Sequence, residues 1–224
     1  MDNFFTKAFE NMTDADRESF YKTVFMSDRS EYAAKLRLEY YKTQFKTMGE
    51  NVTIGANVKI VNPQWISLGN NVQISDNCTL IARGEPGITL GDNVRLQDRV
   101  YLDTERSTEG YIRVDEGVYI GTGTTLFGHR GLEIGAHTLL AQNITLTPYS
   151  HIFDNPNDII YSQGGHCKKV TIGRDCYLGM GVDVMYSGDI GEGSIVGAGS
   201  VVVKPIPPYS VAVGNPARVI KERK

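Results

Sequence analysis

Long apolar runs are missing from this 224-residue chain, and none approaches the roughly 20 residues that a membrane-crossing helix needs. A basic excess is missing too. With 23 lysines and arginines against 26 aspartates and glutamates, the net charge of −3 offers no positive face for nucleic acid. Cysteine is scarce, and its odd count of three argues against a disulfide framework. No leader pattern follows Met1, so a cytoplasmic location is expected. Histidine is limited to four residues, which narrows any search for acid–base or metal chemistry to a few positions. Beyond about residue 50 the 3.6-residue period of an amphipathic helix is also absent.

In its place stands a beat of six. Ile74 is followed by Leu80, Leu90 by Leu96 and Leu102, and Val114 by Ile120 and Leu126. Then come Ile134, Leu140 and Leu146, next Ile172, Leu178 and Val184, and last Ile190, Val196 and Val202. Six fits neither helix nor plain alternation, so each hexad reads as one short strand plus one turn. Three hexads make a triangular coil, and stacked coils bury the aliphatic column. The fold expected is an all-β solenoid, a parallel β-helix of about seven coils.

Other columns agree. Gly55, Gly69, Gly91, Asp115, Gly135, Gly173 and Gly191 follow each coil's first aliphatic residue. Two residues on stand Asn57, Asn71, Asn93, Gly117, His137, Asp175 and Gly193. Both columns hold types that tolerate positive φ, as tight corners require. The next column, Val58, Val72, Val94, Val118, Thr138, Cys176 and Ser194, is small or β-branched and should point inward. Cys78 and Cys176 are thus expected in the core, and Cys167, outside the repeat, nearer the surface.

Residues 1–50 lack the beat and read as a helical segment capping the first coil, with helix starts at Thr13 and Ser30. The second helix is expected to run over Ala33, Leu36, Tyr40 and Phe45 to Gly49. The β-helix occupies 51–204, and 205–224 form a tail on the last coils. Leu68 to Leu90 is 22 residues, Leu90 to Val114 is 24, Val114 to Ile134 is 20 and Ile134 to Ile172 is 38, against 18 for Ile172 to Ile190. Every excess falls after the third hexad, so the insertions should share one edge, where binding and catalytic loops are commonly carried. The largest, 149–169, should be an extended arm.

His137 occupies a positive-φ corner and His129 a short loop at 128–131. His166 lies near the arm's return. His151 stands at the arm's root, held by a rigid coil. A histidine, with an ordinary pKa of about 6.5, is mostly neutral at pH 7 and suits a general base there.

Leu139–His151 reads LLAQNITLTPYSH and Val170–Gly179 reads VTIGRDCYLG. Residues 190–204 read IGEGSIVGAGSVVVK and 206–220 read IPPYSVAVGNPARVI. These segments resemble the hexapeptide-repeat acyltransferases, in particular the galactoside and maltose O-acetyltransferase branch. The resemblance covers about the last 90 residues. It implies a left-handed spiral, a homotrimer with sites between subunits, and acetyl-CoA as donor, with no metal. It places the catalytic base at His151, with Asp154 or a backbone carbonyl to hold its tautomer. It implies a coenzyme A groove at Tyr177, Met180, Gly197 and Ala198, with Lys204, Arg218 and Lys221 at the phosphates. The family's usual tryptophan is Tyr177 here. Gly121 stands where galactoside enzymes present an asparagine, which turns the expected acceptor towards a sugar or sugar-nucleotide precursor of cell-surface polysaccharide. Arg83, Asp103, Asn143 and Tyr149 are expected at the acceptor end, with the loops 83–87 and 103–111 contributing.

Three rival functions are weaker or narrower. A γ-type carbonic anhydrase needs convergent histidines, including a pair five residues apart, and the chain has no such pair. A silent scaffold would need neither His151 nor the basic tail. N-acetylation of an amino-sugar nucleotide fits the same residues.

Overall fold

The computed structural model describes residues 12–105 and 109–224. Residues 1–11 of the expected cap and 106–108 of the expected acceptor loop lie outside the described residues.

Helix α1 (Asp14–Ser27) opens on a reciprocal cap: the Thr13 hydroxyl accepts the Asp16 N–H and the Asp16 carboxylate accepts the Thr13 N–H, both at 3.2 Å. Helix α2 (Glu31–Lys42) is capped by Ser30, whose hydroxyl accepts the Ala33 N–H at 3.2 Å. It ends sooner than the sequence suggested. The chain is captured by the first sheet, where the Lys46 N–H bonds the Ile66 carbonyl and strand Thr47–Met48 pairs with Ser67–Leu68.

The buried face of α2 is Ala33, Arg37 and Tyr41, at a spacing of four, while Leu36 is turned outward. Arg37 is only 2% exposed. Its Nε donates to the Ile54 carbonyl at 3.0 Å, and Nη1 donates to the Phe25 and Asp28 carbonyls, both at 2.5 Å. The last two lie at the C-terminal end of α1, where carbonyls lack helical partners. One guanidinium therefore ties both helices to the spiral.

The spiral is a left-handed parallel β-helix of about seven coils, with three long sheets of six, nine and seven strands. The first sheet runs from Thr47–Met48 to Val170–Ile172, the second from Thr53–Ile54 to the tail, and the third from Lys59–Val61 to Val201–Val202. Within the coils every pairing is parallel, and corresponding hexads stack in register, Leu96 on Ile120 on Leu140 on Leu178 on Val196. This column is fully buried, as are Leu80, Leu102, Leu126, Leu146, Val184 and Val202 on the third sheet. Each such side chain contributes roughly 1.5–3 kcal/mol by leaving water.

The two corner columns differ in their physics. Asn57, Asn71, Asn93, Gly117, His137, Asp175 and Gly193 do sit at positive φ, between 53° and 67°. Gly55, Gly69, Gly91, Gly135, Gly173 and Gly191 do not. They are small because the next coil passes close by: a Cβ on Gly69 would lie 2.7 Å from the Asp92 nitrogen, and one on Gly135 2.6 Å from the Arg174 nitrogen. Glycine meets either demand, so composition alone merges the two columns.

All four insertions, 82–86, 104–110, 128–131 and 147–169, leave the third sheet and return to the first. The arm is a ribbon of Tyr149–His151 antiparallel to Gly165–Cys167, with a 3-10 turn at Ile160–Gln163. The tail adds Ser210–Val213 to the second sheet, then folds back as Arg218–Glu222. Arg223 fastens its end, with Nη1 donating to the Asp175 carboxylate at 2.9 Å and to the Gly193 carbonyl at 2.9 Å.

Candidate active site

His151 is exposed on the arm's first strand, where it pairs with Gly165. The group at its ring is Tyr149, whose hydroxyl lies 3.3 Å from Nδ1 and whose ring meets the imidazole edge-on at 4.9 Å. Among the described residues Asp154, expected to hold the tautomer, has no hydrogen bond or ion pair to His151, and the Nδ1 contact is to Tyr149 instead. Tyr149 in turn stacks on His129, with centroids 4.9 Å apart and planes 25° apart. Phe127 lies 6.0 Å from His129, and Tyr101 6.1 Å from Phe127. A ladder of rings thus climbs the insertion edge to His151. Burial lowers the His129 pKa against the pull of Glu105 and Asp103, which favours a neutral ring.

The sequence places His129 only in a short loop, and its stack on Tyr149 is not expected from that. A signal existed: Val114 to Ile134 is 20 residues, and adding that coil interval to 129 gives 149.

Arg83 and Asp103 meet on the same edge. Arg83 donates Nε and Nη2 to the two Asp103 carboxylate oxygens at 2.8 and 2.7 Å. Asp103 also accepts the Tyr101 hydroxyl at 3.0 Å and the Glu105 N–H at 2.8 Å. Burial alone would raise this carboxyl, but the Arg83, Glu105 and Tyr101 hydrogen bonds outweigh it and hold the pKa below the ordinary value. The Asp103 side chain is 1% exposed, so it holds Arg83 in place instead of facing an acceptor as expected. Asn143 is also placed elsewhere. It is a positive-φ residue, φ 56°, at the corner between the second and third sheets, away from the insertion edge. Gly121 lies at the same corner, where a Cβ would strike the Ala141 carbonyl. The next coil's backbone therefore forbids an asparagine there.

The residues expected to hold the donor divide into two groups. Met180 and Ala198 are at the corner between the second and third sheets, and Tyr177 opens onto it with 45% of its surface exposed. A shallow groove of about 390 Å³ runs along Tyr119, Leu139, Gln142 and Tyr177. Gly181 and Gly199 at this corner have open space where a Cβ would stand, so a thin pantetheine chain can approach the backbone. Gly197 is different: a Cβ there would lie 2.7 Å from Val213 Cγ1, so its smallness serves the tail. Lys204 is exposed two residues beyond Val202, on the insertion-edge side of the third sheet. Arg218 follows Ala217, whose N–H bonds the Val201 carbonyl at 2.8 Å. Lys204 and Arg218 therefore flank the last strand of the third sheet. Lys221 stands three residues further along the same return strand, paired with Val211 where Arg218 is paired with Val213.

Residues 47–82 and 169–204 match the family model described as "Hexapeptide repeat of succinyl-transferase". The chain is 33% identical over 137 residues to galactoside O-acetyltransferase of Escherichia coli, covering 60% of this chain and 63% of that protein. It is 33% identical over 137 residues to "Probable acetyltransferase Rv3034c" of Mycobacterium tuberculosis, covering 61% of this chain and 45% of that protein. The match thus spans about half to somewhat under two thirds of these curated relatives. Among solved structures, a variant of AntD, an N-acyltransferase from Bacillus cereus in complex with dTDP and coenzyme A, aligns at TM-score 0.59. It shares 26% identity, with 83% of this chain and 88% of that one covered.

Proposed function

We propose that the chain is a hexapeptide-repeat acetyltransferase that moves an acetyl group from acetyl-CoA to a hydroxyl of a sugar or cell-surface polysaccharide precursor, a reading supported by the matched repeats and by the likeness to galactoside O-acetyltransferase. The observation that carries this reading is His151, an exposed imidazole at the root of the arm with an oriented partner at Nδ1. His151 Nε2 takes the proton from the acceptor hydroxyl as that oxygen attacks the thioester carbonyl carbon. The C–S bond then breaks, and the imidazolium returns the proton to the departing thiolate. A backbone N–H supplies the donor that the developing oxyanion needs.

The donor lies along the groove by Tyr177, Met180 and Ala198. Lys204 and Arg218 meet its phosphates through charge-assisted hydrogen bonds. Tyr177 and Met180 stand at one edge of the third sheet and His151 at the other. A site enclosed between two copies joins such edges, which supports a homotrimer with shared sites.

A second reading has its own support. The AntD variant is an N-acyltransferase crystallised with a nucleotide, and that favours an amino-sugar nucleotide as acceptor. One experiment separates the two. Purified protein is incubated with acetyl-CoA and matched hydroxyl sugars, amino sugars and their nucleotides, while free thiol is followed. Turnover with hydroxyl acceptors supports O-acetylation, and turnover confined to amino sugars supports the second reading. Thiol release with none of them overturns both.

A further inference from the structure

Tyr149 was expected to touch the acceptor, and His129 had no assigned part. The geometry points to a different role, and we propose that Tyr149, braced by His129, is a positioning residue for His151. Its phenolic oxygen accepts the Nδ1–H of His151, which leaves the Nε2 lone pair free for the acceptor's proton. The inference rests on the reading of His151 as the base.

Among the described residues, the Tyr149 hydroxyl is the only hydrogen-bonding group at the His151 ring. Which imidazole nitrogen carries the proton is set by the partner of the other one. The separation of 3.3 Å is long for a hydrogen bond, as such contacts often are before substrate binds.

Tyr149 can perform this task only if its own ring is fixed, and two independent features fix it. On one side lies the His129 stack at 4.9 Å, carried through Phe127 to the third sheet. On the other is Gly165, where any Cβ would overlap the Tyr149 ring and hydroxyl, so the arm's return strand is shaped to admit that ring. A neutral His129 suits the stack as well. A cation two rings away would oppose protonation of His151 during the reaction. The support is thus a chain of packed rings leading from the rigid spiral to the base.

The test uses the full chain. Tyr149→Phe keeps the stack and deletes only the oxygen. We expect kcat to fall about fivefold to tenfold, the worth of one modest hydrogen bond. KM for acetyl-CoA and for the acceptor should stay within about twofold, since the contact acts on the base and not on binding. Ring nitrogen shifts of His151, read by ¹⁵N NMR on the protein without substrate, should move towards the Nε2–H tautomer. His129→Ala should lower kcat similarly, and the double variant should be no worse than the more impaired single one, because both act through one imidazole.

A Tyr149→Phe protein with unchanged kcat and unchanged nitrogen shifts overturns the proposal, as does a double variant whose losses multiply. The NMR readout needs no acceptor. A protein inactive towards every acceptor would therefore defeat the acetyl-transfer reading while the tautomer shift still decided this one.

Discussion

Two histidines in the same spiral make opposite demands on their surroundings. His137 sits at φ 60°, its Nε2 3.8 Å from Glu116, and it answers to a corner that asparagine fills equally well in other coils. His137→Asn should leave melting temperature and acetyl transfer nearly unchanged. His151→Asn should remove about 10²–10⁴-fold of turnover while acetyl-CoA binding, followed by calorimetry, persists. A His151→Asn protein keeping a third of its activity would take His151 out of the reaction. Thiols separate in a similar way. Burial raises all three thiols, Cys78 to about 11, but Cys78 and Cys176 are enclosed in the core, whereas Cys167 is half-buried on the arm and within reach of solvent. A thiol reagent at pH 8 should therefore modify one cysteine per native chain and three after unfolding. Rapid modification of all three in the native protein would contradict the buried column.

At the scale of elements, the arm is tied to the spiral at its base, while among the described residues its tip is held only by its own hydrogen bonds, Gln163 Nε2 donating to the Asn155 and Asp158 carbonyls at 2.9 and 3.0 Å. Lys169 donates to Glu133 at 3.0 Å, Tyr111 donates to the same carboxylate at 2.7 Å, and His166 stacks on Tyr186 at 6.0 Å. Beyond these ties Phe153, Ile159 and Tyr161 are exposed, Tyr161 at 89%. Replacing residues 154–162 by a short glycine linker should therefore shift the melting temperature by no more than about 2 °C, because little apolar surface is lost from the core. Activity should drop if the tip encloses the acceptor, and an unchanged rate would confine function to the arm's base. The insertion edge itself was legible, because a fixed repeat turns every extra residue into a measurable interval. The aliphatic column was legible for the same reason. Arg37 was not: a charged residue on a helix reads as a solvated one, and only the Ile54, Phe25 and Asp28 carbonyls it meets explain its burial. Nor was the Tyr149–His151 pairing, since sequence gave no means of weighing a neighbouring hydroxyl against Asp154.

For the whole molecule the three outer faces are unequal. The first sheet presents Thr89, Arg113, Glu133 and Thr171, and the third presents Tyr101, Thr125, Thr145 and Asp183. The second presents Thr53, Gln73 and Arg95 on its first coils and then, in the same register, Tyr119, Leu139, Tyr177, Ile195 and Val211. A stretch from Tyr119 to Val211 that is apolar on one face of three is what a ring of identical subunits would cover, since head-to-tail contacts through a three-fold axis close on themselves. Leu139 is 48% exposed in the single chain and lines the groove beside Tyr177, so the oligomeric state is the primary readout of a change there. Leu139→Glu would place a carboxylate without a partner in that contact, at a cost of several kcal/mol. Sedimentation velocity should show the proposed trimer for the unaltered protein and a monomer for the variant. Acetyl transfer should fall with it, because His151 and the Tyr177 groove stand at opposite edges of the third sheet. A Leu139→Glu trimer would mean that another face forms the interface. A fully active monomer would mean that each chain builds its site alone.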